Sequence, residues 1–194
     1  MKPIPREELA QSIARLMHEQ GIQDFQQAKR KAVQRTGHAD ALLPSNAEIA
    51  DALRERTRLQ AAAGADTRTR LLMQALEVMQ NLAEFQPRLS GRVAAGLITD
   101  HSWLQLHVFC ETPEELDIFL QARGIEYQPE DKRMRFHNGH RNQPAFVFEY
   151  QGTDVLTVVF SPRQRSQKPL SPIDGKPMAR LSSKQIEALL LQDA

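Results

Sequence analysis

Apolar residues recur every three or four positions as far as Leu82 and roughly every second position through much of the remainder, so the chain reads as helices first and strands afterwards. Leu9, Ile13, Leu16 and Met17 mark a first helix that Gly21 stops. Asp24 caps a second, in which Phe25, Ala28, Ala32 and Val33 share one face while Lys29, Arg30, Lys31 and Arg35 read as its solvated side. Gly37 ends it, and the segment from His38 to Pro44 is a connection. Ser45 or Asn46 stands where an N-cap belongs for a third helix carried by Ile49, Ala52 and Leu53, with Glu48 in its first turn. That helix loses definition at Ala61-Ala62-Ala63-Gly64, and Asp66 or Thr67 opens a fourth whose broad apolar face runs from Leu71 to Leu82.

Beyond Phe85 the pattern predicts strands over Leu89 to Ala94, Trp103 to Cys110, Ile125 to Tyr127, Met134 to Phe136, Ala145 to Tyr150 and Val155 to Phe160. One helix interrupts them, from Pro113 to Arg123, opened by Thr112 at N-cap, proline at N1 and two acids. Gln151-Gly152-Thr153-Asp154 reads as the loop of the last hairpin. The polar, basic stretch after Phe160 reads as a flexible loop, and Ser182 caps a final helix from Ser183 to Leu191. The expected organisation is α+β: a helical subdomain over 1–85, then a mixed β-sheet with helices over 86–194 that ends in a basic tail.

Composition narrows the function classes. The 194 residues carry a net charge of only +1, so binding to nucleic acid or an anionic surface has to come from local clusters. A single cysteine excludes an intramolecular disulfide and a thiolate metal cluster, and points to a reducing compartment. With no apolar leader and no apolar run of membrane-spanning length, the expected location is cytoplasmic, without a membrane partner.

The stretch from Pro87 to Cys110 holds the candidate chemistry. Gly91-Arg92-Val93-Ala94-Ala95-Gly96, followed after five residues by Ser102-Trp103-Leu104-Gln105-Leu106-His107-Val108, resembles the pattern of polymerase-beta-type nucleotidyltransferases. In that superfamily a Gly-Ser turn holds the triphosphate on backbone amides, and a following strand presents two metal-binding aspartates. Here Arg92 replaces the serine, while Trp103 and Gln105 replace the aspartates, and neither replacement supplies the anionic oxygen that magnesium needs. The chain is also similar to a group of uncharacterised bacterial proteins that share this layout and the signature seen here as Pro87-Arg88-Leu89, Gly91 and Leu106-His107-Val108-Phe109. The resemblance implies a nucleotidyltransferase-like domain with a degenerate active site.

Strand alternation puts Trp103, Gln105, His107 and Phe109 on one face and Leu104, Leu106, Val108 and Cys110 on the core face. The first set either packs as structure or lines a ligand site. On the second reading, Gly91, Arg92, Ser102, Gln105 and His107 bind a nucleotide or another phosphate-bearing molecule, with Arg92 as anion partner and no metal. An active enzyme would instead use a displaced set such as Asp100, His107 and Glu149, with magnesium as cofactor. Asp100-His101-Ser102 holds the residue types of a catalytic triad, but neighbours in sequence cannot converge as one. His137 and His140 flank a turn and read as solvated, and Cys110 reads as a small buried hydrophobe. Finally, Arg163, Arg165 and Lys168, with Lys176 and Arg180, form a basic tail suited to nucleic-acid phosphates. On that reading, deletion of everything after Phe160 leaves the fold intact.

Overall fold

The computed structural model describes residues 5–36, 43–59 and 61–192. The expected stop at Gly37 and most of the connection after it lie outside these residues. Four helices come first: α1 (Arg6–Glu19), α2 (Phe25–Thr36), α3 (Asn46–Leu59) and α4 (Ala61–Asn81). Contrary to the sequence reading, α4 does not reopen at Asp66. It starts six residues before Thr67, at Ala61, because a run of alanines favours helix strongly enough to carry the chain through Gly64.

Two compact units emerge, and the second half of α4 belongs with the sheet and not with the other helices. The first unit contains the described residues up to Thr67, together with Gly96–Ser102 and Pro172–Asp174. Its core is the stripe of α1 (Leu9, Ala10, Ile13, Ala14, Leu16, Met17) with Phe25, Ala28 and Ala32 of α2 and Ile49, Ala50 and Leu53 of α3. At the entry to α3, Ser45 and Glu48 form the expected reciprocal cap, with the Ser45 amide donating to Glu48 and the Glu48 amide to Ser45 Oγ.

The second unit is built on a five-stranded mixed sheet in the order β1-β2-β5-β4-β3. Its strands are β1 (Arg88–Ser90), β2 (Leu104–Phe109), β3 (Tyr127–Phe136), β4 (Gly139–Tyr150) and β5 (Thr153–Phe160). Only β2 and β5 run parallel; the other neighbours are antiparallel. The helices α5 (Gly91–Ala94), α6 (Pro113–Ala122) and α7 (Ser183–Gln192) complete the chain. The helix α6 opens with the Thr112–Glu115 capping box and Pro113, as expected. Buried α4 residues, among them Leu71, Leu72, Ala75, Val78 and Met79, line its inner face. Arg70 and Gln74 bond Thr153, and Glu77 accepts from the Tyr150 hydroxyl, which fastens α4 at the β4–β5 turn.

Two strand expectations are corrected. The strand expected over Leu89 to Ala94 ends at Ser90, where Gly91, at φ +69°, turns the chain into the single helical turn α5. The short strands expected near Tyr127 and Met134 are one ten-residue strand, β3. Its polar middle, including Pro129, hides the period because β3 is the sheet edge, where neither burial nor an outward N–H is required. At the other hairpin, Gln151 (φ 49°) and Gly152 (φ 74°) make the two-residue turn that β4 and β5 need.

Candidate functional site

The strand β2 brings Gln105, His107 and Phe109 to one face of the sheet, with Trp103 just before it, as alternation predicts. What covers His107 and Phe109 on that face is not solvent. It is the C-terminal segment, which leaves β5, bonds the outer edge of β3 (Leu170 N–H to the Arg135 carbonyl, 2.7 Å), and returns to the outer edge of β1. There Leu89 and Leu181 exchange two backbone hydrogen bonds of 2.9 and 2.8 Å, and Ser90 Oγ donates to the Ala179 carbonyl. Met178 joins Phe109, Met134, Phe136, Ala145, Leu156, Val158 and Phe160 in the core so formed, and Trp103 packs beside it. The stretch read as a flexible loop is therefore a strap across the whole sheet.

Arg180 locks the strap. Its Nη1 donates to the Arg165 carbonyl at 2.7 Å, its Nη2 faces the Gln167 carbonyl at 3.4 Å, and its Nε donates to His107 Nδ1 at 2.9 Å. The guanidinium also stacks 4.7 Å from the Phe160 ring centre and 5.2 Å from that of Phe109. Burial lowers its pKa to about 10, which leaves it charged at neutral pH. Because a guanidinium only donates, Nδ1 must accept, and the proton of the neutral imidazole sits on Nε2. The Gln105 amide nitrogen lies 3.1 Å from Nε2, and with the proton on Nε2 the amide turns over to accept that hydrogen bond through its oxygen. His107 is 0% exposed, and burial, with Arg180 beside it, pushes its pKa well below the ordinary value. Both ring nitrogens are thus engaged internally.

The other expected residues are distributed unevenly. Gly91 abuts Gln105 so closely that an added Cβ would lie 3.0 Å from the Gln105 Cβ and Oε1 atoms. Arg92 follows on α5, half-buried, with its pKa lowered by burial to about 10. Ser102 belongs to the first unit, where its hydroxyl accepts from the Thr99 amide and its own amide closes the turn onto the Thr99 carbonyl. Asp100, in that same turn, accepts from the Thr67 hydroxyl. Glu149 lies four residues along β4 from Ala145, the position in line with His107 across β5, hence about 13 Å away along the strand. His107 and Glu149 therefore do not meet.

Among the described residues, no three His, Cys, Asp or Glu side chains gather as a metal site. His137 and His140 are exposed, and Cys110 is buried with its thiol pKa pushed up to about 11, chiefly by burial. Arg163, Arg165 and Lys168 are exposed on the strap. Arg141 of β4 reaches it through the Gln167 side chain, and the Lys132 ammonium sits 5.4 Å from the Trp103 ring centre.

Among the described residues, the surface clefts include two of differing charge. The larger, about 710 Å³, is walled by Glu114, Asp117, Glu130 and Asp131 over Tyr127 and Phe146, so its charge repels phosphate. The other, about 450 Å³, lies in the first unit and is lined by Arg6, Gln26, Lys29, Arg30, Pro44 and Ser45. Lys29 corrects the sequence reading: it is not on a solvated face but only 9% exposed. Arg180, read with the basic tail, is instead a half-buried anchor, for which its place between Met178 and Leu181 was a signal. No protein-family model matches the chain, and no curated protein matches it. No described helix is long and apolar enough to cross a membrane.

Proposed function

We propose that the protein is a non-catalytic, nucleotidyltransferase-like binding or regulatory module that recognises a nucleotide or another phosphate-bearing ligand. The observation that carries this reading is a charge reversal. On the face of β2 where the resemblance would put two metal carboxylates, the chain has Trp103, Gln105 and His107, and a half-buried guanidinium, Arg180, lies against the imidazole. A fixed cation there opposes a divalent ion electrostatically and leaves an anion as the favoured guest nearby. Gly91, Arg92 and Gln105 are the contact residues on this reading, Arg92 pairing with phosphate and His107 positioning the Gln105 amide.

Calorimetric titration with ATP, with and without magnesium, tests this. The expected result is saturable binding that does not depend on the metal and that Arg92→Gln weakens by about tenfold, one charge-assisted contact. Binding that requires magnesium would overturn the non-catalytic reading, and no binding would overturn the ligand.

A second reading is favoured by the docking of the strap, which holds Arg163, Arg165 and Lys168 on a fixed surface that also carries Arg141 and the Trp103–Lys132 pair. Such a surface suits single-stranded nucleic acid, with phosphates on the cations and a base stacked on the indole. Trp103 is the sole tryptophan, so its fluorescence reports directly on binding. Quenching by oligothymidylate that weakens steeply with salt supports the reading; unchanged emission at low salt refutes it.

A further inference from the structure

The first unit holds a lysine whose stem is packed and whose charge opens into a cleft. Lys29 is nine-tenths buried among the helices, yet among the described residues its ammonium has no hydrogen bond or ion pair. The enclosed part is its aliphatic stem, which holds the side chain in one place, while the ammonium is left for solvent or a guest to meet. The Nζ atom is not among the fully enclosed polar atoms, so the charge keeps an opening into the 450 Å³ cleft that Lys29 lines.

The rim reinforces the charge. Arg6 forks onto Glu48 through bonds of 2.7 and 2.8 Å, and Glu48 also accepts from the Ser45 hydroxyl at 2.6 Å, so one carboxylate fixes Arg6 across the mouth and neutralises it. Arg30 and Lys29 have no carboxylate partner among the described residues, so the cleft keeps a surplus of positive charge. Burial lowers the Lys29 pKa, with Glu48 opposing the shift.

We propose that this cleft binds a small phosphomonoester, its dianionic phosphate seated on the Lys29 ammonium with Arg30 and Arg6 at the rim. Lys29 and Arg30, neither in an ion pair among the described residues, match the two charges of a phosphomonoester, and the volume suits a ligand of sugar-phosphate size. A recess of this size does not fit a nucleic-acid backbone, which needs an open groove. The site lies in the first unit and does not rest on the reading of β2 given above.

The test is titration of the full chain with ribose 5-phosphate and with inorganic phosphate, in a buffer free of both. Amide NMR shifts at Lys29, Arg30 and Ser45 provide the readout, and ribose is the uncharged control. Both phosphates are expected to shift these amides saturably, and ribose to shift none of them. Lys29→Met is expected to weaken binding by about tenfold, as loss of a charge-assisted contact does. Its unfolding temperature without ligand is expected to stay within a few degrees of the parent's, because methionine keeps the packed stem. Arg92→Gln is expected to leave this titration unchanged, which separates it from the ATP experiment. Absence of saturable shifts, binding by Lys29→Met within twofold of the parent, or displacement of ribose 5-phosphate by an oligonucleotide without terminal phosphate would each overturn the proposal.

Discussion

Replacing Arg180 by methionine keeps most of its packing volume and removes its charge and donors. Two short bonds are lost, to the Arg165 carbonyl at 2.7 Å and to His107 Nδ1 at 2.9 Å, together with the stacking on Phe160 and Phe109. Each hydrogen bond from a charged donor contributes about 1.5 to 3 kcal/mol, and the cation–π contacts about 0.5 to 1 kcal/mol more. Release of the guanidinium from its partly buried position offsets some of that, so the expected loss is about 3 kcal/mol. For a chain of this length that corresponds to a fall in unfolding temperature of about 6 to 12 °C. Calorimetry measures the fall. Nitrogen NMR of the imidazole checks its cause, because His107 loses the donor that fixes its proton on Nε2. Arg180→Lys is expected to restore less than half of the loss, since an ammonium cannot reach the strap carbonyls and the imidazole in one plane. Stability of Arg180→Met within about 0.5 kcal/mol of the parent, the range of ordinary surface changes, would refute the idea of a lock.

His107 makes stability depend on pH. Its folded pKa lies below the unfolded value of about 6.5, so below that pH the unfolded chain binds the extra proton. The contribution is complete above pH 6.5 and is lost as pH falls towards the folded pKa, by at most about 1.4 kcal/mol per pH unit. Denaturant titrations of His107→Gln should lack that component of the slope. Gly91→Ala forces a side chain into the left-handed region and against Gln105, and should cost about 1 to 2 kcal/mol by urea unfolding. Cys110, buried and with its thiol pKa raised to about 11, should resist disulfide reagents at pH 8 in the native state and react once the chain is unfolded.

The helices were legible where one apolar stripe meets one neighbour, as at Leu9, Ile13 and Met17, and where caps are local, as at Ser45–Glu48 and Thr112–Glu115. The turn at Gln151–Gly152 was legible for the same reason: its chemistry is confined to adjacent residues. The long polar strand β3 was not, because an edge strand is held by backbone pairing with β4 and its side chains need no alternation. The strap was hidden too. Its hydrogen bonds go to Leu89, Ser90 and Arg135, far away along the chain, and local composition carries no information about partners at such separations. Of the candidate site, alternation along β2 gave the shared face of Gln105 and His107 correctly. The burial of His107 depends on Arg180 and could not be read locally. Lys29 was misread because the positive run around it hides the one member that turns inward.

Deletion of the residues after Phe160 now carries a different expectation from that of a dispensable tail. The same segment touches both rims of the sheet, pairing with Leu89 on one side and capping Arg135 on the other. Unpaired strand rims act as templates for other chains, and proteins guard them with charge, proline or a covering segment. Here Pro129 and its charged neighbours protect one rim only in part, and β1, three residues long, relies on Leu181. A chain cut at Phe160 would therefore expose two open rims and a bare apolar face at once, and self-association into fibrous or amorphous aggregates is its natural fate.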